Sequence, residues 1–426
     1  MRKSGAPGTV ESIVLYALLT AVTALSLDII LPAYPAIGNE FSLLGGLDLQ
    51  SSILLFVGGM LIGELLAGAL ADRCGRRVTM AASVGVFGAA TLVCLLAPTY
   101  EWLLAGRVLQ GVGAAGQKIC TRAIIRDRYS GEAMARIMSY VLAVFVALPF
   151  IAPALGAAFA ENFGWRSIFI FLGTYALAIF LWYSWRHPET LPRPPARNYS
   201  FINAARVFFC QKSCVLLTLT AGILFGVHLA FISLSPLLFA DIYQVTDQFP
   251  RYFGSVVCAF GFALLLNARL VMRFGMTALI VAGLVILNVS QMLFLVLLFY
   301  NGVAPFWAFL IQLFLVLFSL GLIFGNLTAL ILQPLGNFAG VGSALSSALS
   351  SAVALVVSFA MGFIYAGKLD QFVFPCAFAV LAATAIFVLS ARSHLRGEVG
   401  HLVQADDDVS TPKQSGAGTS GCDSHE

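Results

Sequence analysis

Apolar residues run through this chain in long unbroken stretches, with short polar punctuation between them. Ala278 to Tyr300 and Gln371 to Ala391 show the pattern most clearly. A helix crosses a bilayer with about 20 apolar residues. On that measure the chain divides into twelve spans, at 12–37, 48–70, 77–97, 101–124, 133–159, 166–186, 214–239, 251–272, 277–299, 304–327, 339–366 and 371–392. A membrane β-barrel would need apolar and polar residues to alternate in segments of about ten, and no such alternation is present. Most loops are short. The long one, 187–213, contains Pro and Arg and separates two sets of six spans. The pattern predicts an all-α membrane protein with a cytoplasmic N-terminus at 1–11 and a six-helix bundle at 12–186. A linker at 187–213, a second six-helix bundle at 214–392 and a tail at 393–426 follow. The tail is polar from His394, carries Asp406, Asp407 and Asp408 and ends in a Gly/Ser run, so it is expected to be disordered.

Composition strengthens the membrane reading. Of 426 residues, 60% are hydrophobic and 10% charged, against about 25% charged in soluble domains. So much apolar surface needs lipid as its solvent. The stretch after Lys3 lacks the short apolar core and small-residue cleavage site of a removable leader. The eight cysteines form no C-x-x-C pair. Cys210 and Cys214 stand one helical turn apart with no His close by in sequence, so they read as small apolar fillers and no metal is expected. The net charge of +4 is no nucleic-acid signal.

The placement of charge is more informative than its sum. With the N-terminus in the cytoplasm, nineteen Lys and Arg residues fall on the inner side. Only Arg166, Arg251 and Lys368 fall outside, while Arg107 and Lys118 remain within a span. The positive-inside rule then predicts an even number of spans, both termini in the cytoplasm and residence in the inner membrane. A faint repeat supports two related halves: Gly68-x-Leu70-x-x-Arg73-x-Gly75 returns 200 residues later as Ala268-x-Leu270-x-x-Arg273-x-Gly275. Parallel repeats of this kind enclose a substrate site between them.

The most distinctive string is Gly68-Ala-Leu-Ala-Asp72-Arg73-Cys-Gly75-Arg76-Arg77. Its glycines allow a tight turn and close helix approach. Asp72 suits the N-terminus of a neighbouring helix or an Arg partner, so the loop could latch the halves in one state. A plain basic cytoplasmic loop is the alternative. The string resembles motif A of the major facilitator superfamily at every diagnostic position. Leu103-Leu-Ala-Gly-Arg107-Val-Leu-Gln110-Gly111-Val-Gly113 resembles the helix 4 motif of its proton-coupled members. Pro149-Phe-Ile-Ala-Pro153-Ala-Leu-Gly156 resembles the helix 5 motif of its antiporters. Asp28-Ile-Ile-Leu-Pro32-Ala-Tyr-Pro35, Arg122-Ala-Ile-Ile-Arg126-Asp127 and Phe163-Gly-Trp165-Arg166 are similar to the Bcr/CflA branch of drug exporters. Residues 12–392 share the likeness, more weakly in the second half. Glu64 stands where that branch usually has Gln, Gly325 where it usually has Pro, and Ala157 where the helix 5 motif ends in a second Gly. Lys118 is foreign to the pattern.

Ionisable groups in a span mark function by default, since exposure to lipid costs about 2.5–3.5 kcal/mol. Asp28 lies past the midpoint of helix 1, before Pro32 and Pro35, which free carbonyls and break a helix beside a cavity. It is the candidate proton carrier, with a structural carboxylate as the alternative. Arg107 stays charged and needs an acceptor, and Asp28, at comparable depth, is the expected partner. In the resemblance this arginine governs protonation of the helix 1 acid. Glu64 is either a second proton site or paired with Lys118 or another basic residue of helix 4. His228 is a cavity-lining, proton-carrying or packing histidine. Gln110 and Gln117, with Asn288, Gln291, Gln312 and Asn326, supply neutral donors and acceptors that mostly join helices at about 0.6 kcal/mol each, with a few expected to touch substrate, Gln110 and Gln117 being the candidates for the cavity or secondary coupling. Gly68, Asp72, Arg73, Gly75 and Arg76 form the candidate latch. Pro149, Pro153 and Gly156 are expected to shape helix 5 against the other half, and the serines from Ser343 to Ser351 to form a close-packing face.

No phosphate-binding G-x-x-x-x-G-K-[ST] loop, H-E-x-x-H or G-x-S-x-G string is present, so neither an ATP-driven pump nor an enzyme is expected, and no cofactor. The expected function is proton-coupled export of a drug or small amphipathic molecule by alternating access. Its partners are the small-molecule substrate, protons and the bilayer, and a monomer suffices. The alternatives are a dedicated exporter of an endogenous metabolite, such as an amino acid derivative, nucleobase or siderophore, and a membrane sensor or binding protein without turnover.

Overall fold

The structure is a computed structural model that describes residues 9–43, 46–129, 131–187, 189, 201–246 and 248–410. Every apolar run of the sequence lies on a helix. The first half holds α1 (Thr9–Asp28), α2 (Tyr34–Glu40), α3 (Gly46–Cys74), α4 (Arg76–Leu95), α5 (Tyr100–Arg128), α6 (Gly131–Phe163) and α7 (Arg166–Arg186). A short helix, α8 (Phe201–Cys210), stands in the linker. The second half holds α9 (Lys212–Leu237), α10 (Phe249–Phe274), α11 (Met276–Asn301), α12 (Phe306–Leu332), α13 (Ala339–Ile364) and α14 (Leu369–Ser410). No strand occurs among the described residues. Among the described residues, ten segments are long and apolar enough to cross a membrane. α5 and α6 are not among them, and α5 carries Arg107, Lys118 and Arg122 along its length.

The extent of two elements differs from the sequence reading. α14 continues as helix to Ser410, although a disordered tail was expected from His394, because no proline interrupts the chain before Pro412. The linker likewise contains a helical turn pair in α8. Residues 411–426 lie outside the described ones.

α5 packs against both α3 and α4, and its buried polar groups lie within that contact. Glycines let α3 and α4 close on it: a Cβ at Gly59 would stand 1.9 Å from the Val108 carbonyl oxygen, and one at Gly111 would stand 1.9 Å from that of Phe56. Such backbone contact needs no large apolar side chains and leaves polar groups inside the bundle. The two halves also share a turn. Gly75, between α3 and α4, has φ 95° and ψ 159°, and Gly275, between α10 and α11, has φ 79° and ψ 165°. This region is essentially glycine-only, so the repeat seen at an offset of 200 reflects one backbone geometry used twice.

The halves meet at the Arg-poor end of the bundle. Gln50, near the start of α3, donates from Nε2 to Ser233 Oγ (3.1 Å) on α9 and to the Ser358 carbonyl (2.9 Å) on α13. Its Oε1 rests where a Cβ on Gly362 would be, 1.5 Å away. Nearby, Pro32 and Pro35 face Pro236, Phe249 and Pro250 across a cavity of about 120 Å³. α6 packs on α10, and α3 on α13, along the same seam. The serine face of α13 is turned instead toward α9 of its own half, where Ser350 donates to the Thr218 carbonyl (3.3 Å).

Candidate functional site

Asp28 is the last residue of α1. The helix breaks there: Ile29 and Ile30 form a turn, Leu31–Ala33 a single 3₁₀ turn, and α2 resumes at Tyr34 with Pro35 in its first turn. Pro32 and Pro35 lack the N–H that would continue the ladder, so the break anticipated from the sequence is present. Asp28 is 4% exposed, and its carboxyl has no hydrogen-bond or ion-pair partner among the described residues. Just beyond it, Gly156 of α6 reaches the α1 backbone, its Cβ position 2.0 Å from the Ile29 carbonyl oxygen. The helix 5 glycine therefore packs against helix 1 of its own half, beside the acid. Pro153 is buried on the same helix, while the side chain of Pro149 lies outside the described set.

Arg107 is fully buried and is not paired with Asp28. Its Nε donates to the Ser52 carbonyl (3.2 Å), Nη1 to Gln110 Oε1 (2.9 Å) and Nη2 to the Ser26 carbonyl (2.9 Å), and its guanidinium lies 4.5 Å from the Phe56 ring centroid. The expected ion pair is replaced by carbonyl and amide oxygens, which satisfy the cation without a second charge. Ser26 is two residues from Asp28 on α1, so the arginine grips the helix that carries the acid. Gln110 is held in turn, its Nε2 donating to Thr91 Oγ1 (2.8 Å). Gln117 is different: both amide atoms are buried without a partner.

Glu64 and Lys118, two of the departures from the branch pattern, meet each other. Lys118 Nζ donates to Glu64 Oε1 at 2.8 Å, with the carboxylate 3% and the lysine 20% exposed. The second oxygen, Oε2, is buried without a partner. Pairing with Lys118 was one of the alternatives the sequence left open.

His228, midway along α9, makes no hydrogen bond among the described residues, and its Nδ1 is buried. Its ring stacks on Phe260 (5.8 Å, 16°) and lies 6.5 Å from Phe225 and 6.3 Å from Phe324. The remaining polar residues of the second half join helices: Gln312 to Gln291 (3.0 Å), Gln291 to Cys376 (2.8 Å), Asn288 to Thr384 (2.8 Å) and Asn326 to Asn267 (2.6 Å).

At the Arg-rich end, the motif loop is built into a clasp. Arg76 Nε bonds Asp127 Oδ2 at the end of α5 (2.9 Å), with both side chains buried. Glu189, just past α7, accepts from the backbone N–H groups of Arg76 (2.9 Å) and Arg77 (3.0 Å), capping the N-terminus of α4 where negative charge is favoured. A Cβ at Gly75 would stand 2.8 Å from Glu189 Oε2. Arg73 is exposed, Gly68 has open space around it, and the side chain of Asp72 lies outside the described set. Beside the clasp, Arg128 donates to His187 Nδ1 (2.8 Å). Burial, and then the Arg128 charge, hold His187 down to about 4, so its ring is neutral and accepts. Sequence reasoning missed both Glu189 and Gln50. Glu189 lies in the linker and Gln50 reads as an ordinary helix-start glutamine, so no local pattern marks either one.

The profile of the Major Facilitator Superfamily matches residues 16–358. An MFS-type transporter of Bacillus subtilis (strain 168), YdgK, is 27% identical over 343 residues, 78% of this chain and 83% of its own. Multidrug resistance protein MdtL of Escherichia coli (strain SMS-3-5 / SECEC) is 30% identical over 202 residues, 46% of this chain and half of its own length. Among solved structures, a D-xylose-proton symporter superposes with a TM-score of 0.71 at 16% identity, over 89% of this chain and 98% of its own, and so shares the fold. Two halves that meet at one end, a repeated glycine turn and a profile match across most of the length have one explanation: the chain is a membrane transport protein belonging to the Major Facilitator Superfamily.

Proposed function

We propose that the chain is a proton-coupled exporter of drug-like amphipathic molecules, of the Bcr/CflA type, working by alternating access as a monomer in the inner membrane. In this reading α5 and α6 complete twelve crossings, both termini are cytoplasmic, and the Arg-rich end faces the cytoplasm. Asp28 carries the proton. The observation that supports this best is the isolation of its carboxyl: buried, unpaired, and placed where α1 breaks, at the threshold of the closed end. A charge in such a position is costly, and taking up a proton removes the cost. Arg107 acts as a positioning residue, holding α1 through Ser26 and keeping a positive field nearby.

The Gln50 bridge holds the halves together at the Arg-poor end. At the opposite end Arg73, Arg122, Arg126, Arg269 and Arg273 are exposed, which supports a cavity open to the cytoplasm. An inward proton supplies about 2.3 kcal/mol per 100 mV from the membrane potential. The clasp of Arg76, Asp127 and Glu189 ties α4, α5 and the end of α7 into one unit, so that the half moves rigidly. Flux in proteoliposomes under an imposed pH gradient tests the reading. The gradient should drive substrate movement in the wild type and have no effect in Asp28→Asn. Flux that ignores the gradient in the wild type, or responds to it equally in both proteins, would refute proton coupling through Asp28.

A further inference from the structure

The cavity of about 120 Å³ at the Arg-poor end has walls from both halves. One wall is the proline break after α1, with Ala160 and Glu161 of α6 beside it. The other is formed by Pro236 and by the chain from Thr246 to Pro250. Both walls are irregular backbone. On the second, α9 passes Pro236 into the π-helical turn Leu238–Ile242, and Gln244 then takes φ 56°, a left-handed conformation uncommon outside glycine. Irregular turns of this kind concentrate at ligand sites. Elsewhere on the seam the halves touch closely, as at Gln50 and Gly362, whereas here they leave room.

Size and charge define what fits. A cavity of about 150 Å³ holds benzene. This one is slightly smaller and reaches the surface at Glu161 and Thr246, which are exposed, so it admits one ring with a short head group at its mouth. Its lining is apolar apart from those two residues. Glu161 is the one charged residue on it, and its carboxylate has no hydrogen-bond or ion-pair partner among the described residues. Other acids at this end are engaged. Glu40 is held by Trp165 Nε1 (2.7 Å) and Arg166 (2.7 Å), and Asp241 accepts from the Tyr365 hydroxyl (3.2 Å). Arg251 follows Pro250 in the chain but does not line the cavity.

From this arrangement we infer that the vestibule binds a small organic cation, an amine whose ring lies among the prolines and Phe249 and whose charge faces Glu161. Because both halves form the walls, the ligand binds only while they are closed at this end. It therefore favours that state by mass action and inhibits the transport cycle from the outer side. The inference rests on the alternating-access reading above and adds to it a site for inhibition.

Benzyltrimethylammonium and phenylmethanesulfonate share a ring and a tetrahedral head group and carry permanent, opposite charges. Their binding to the full chain in phosphatidylcholine nanodiscs, read by saturation-transfer NMR against empty nanodiscs, tests the site. The cation should bind about tenfold tighter than the anion, and Glu161→Gln should reduce that preference to less than about threefold. Raising salt from about 50 to about 500 mM should narrow it likewise. Ala160→Phe fills the hollow and should abolish binding of both ions, with thermal unfolding showing that the variant folds. Glu161→Gln, at an exposed position, keeps the test decisive if Ala160→Phe does not fold. Gly362→Val displaces Gln50 without touching the cavity and should weaken cation binding about fivefold by parting the walls. Equal affinity for the two ions, no binding of the cation, or a preference that survives Glu161→Gln intact would overturn the site. Unchanged affinity in Gly362→Val would overturn its dependence on closure. Gradient-driven flux in proteoliposomes that ignores saturating external cation would sink this inhibition alone. Cation binding to a protein with no gradient-driven flux would sink the exporter reading alone.

Discussion

The two halves share a backbone plan and differ in how they treat charge. The first half buries Asp28, Glu64 and Arg107 and keeps Lys118 one-fifth exposed. The second half carries no acid in its helix interiors, and apart from His228 its buried polar groups are neutral and bonded to one another: Gln312, Gln291 and Cys376 in a chain, Asn326 on Asn267. The same fold thus builds a charged, energetically sensitive half and a neutral aromatic one. Buried charge is expensive unless it is paired or moves with a proton. In the proposed mechanism the coupling chemistry belongs to the first half and shape selection to the second.

The largest expected effect of breaking that division is the loss of gradient-driven flux in Asp28→Asn, since no other unpaired acid is available at that depth. Next is Arg107→Gln. It removes three donated hydrogen bonds to buried acceptors and should destabilise the protein by about 3 kcal/mol, read as a lowered midpoint of thermal unfolding in detergent. A fully stable variant would show that the arginine network is not what holds α1. Gly362→Val places a side chain on Gln50 and should weaken the closed end by about 1–3 kcal/mol. A cysteine introduced at position 246, on the cavity between the halves, should then react faster with a thiol reagent in a background lacking other reactive cysteines. Unchanged labelling would place the closure elsewhere. The smallest effect belongs to the neutral half. His228→Phe retains the aromatic stack and should leave the pH dependence of flux shifted by less than about 0.3 units. A larger shift would move proton coupling into the second half and end the comparison.

Much of this was legible before any coordinates. Long apolar helices, two halves and the glycine turn follow from unbroken apolar runs and from one string repeated 200 residues apart. Breakage of helix 1 at Asp28 was legible because proline acts locally. The pairing of Arg107 was not. Its donors went to the Ser26 and Ser52 carbonyls and to Gln110 rather than to Asp28, and backbone carbonyls carry no sequence signature. The Glu64–Lys118 contact was one option among several, since α3 and α5 could be aligned in register only by the glycine contacts at Gly59 and Gly111. Glu189 and Gln50 went unnoticed because each acts on a segment more than 100 residues away.

The sequence by itself determined that this chain lives in a bilayer, that it is helical and two-fold repeated, and which few residues carry charge into its interior. Hydropathy, glycine and proline act over one or two turns, and a single chain displays them in full. Only the tertiary structure decided which charges are paired, which are left alone, and where the halves touch. Those outcomes depend on side-chain contacts between distant helices, set by close backbone packing to within an ångström.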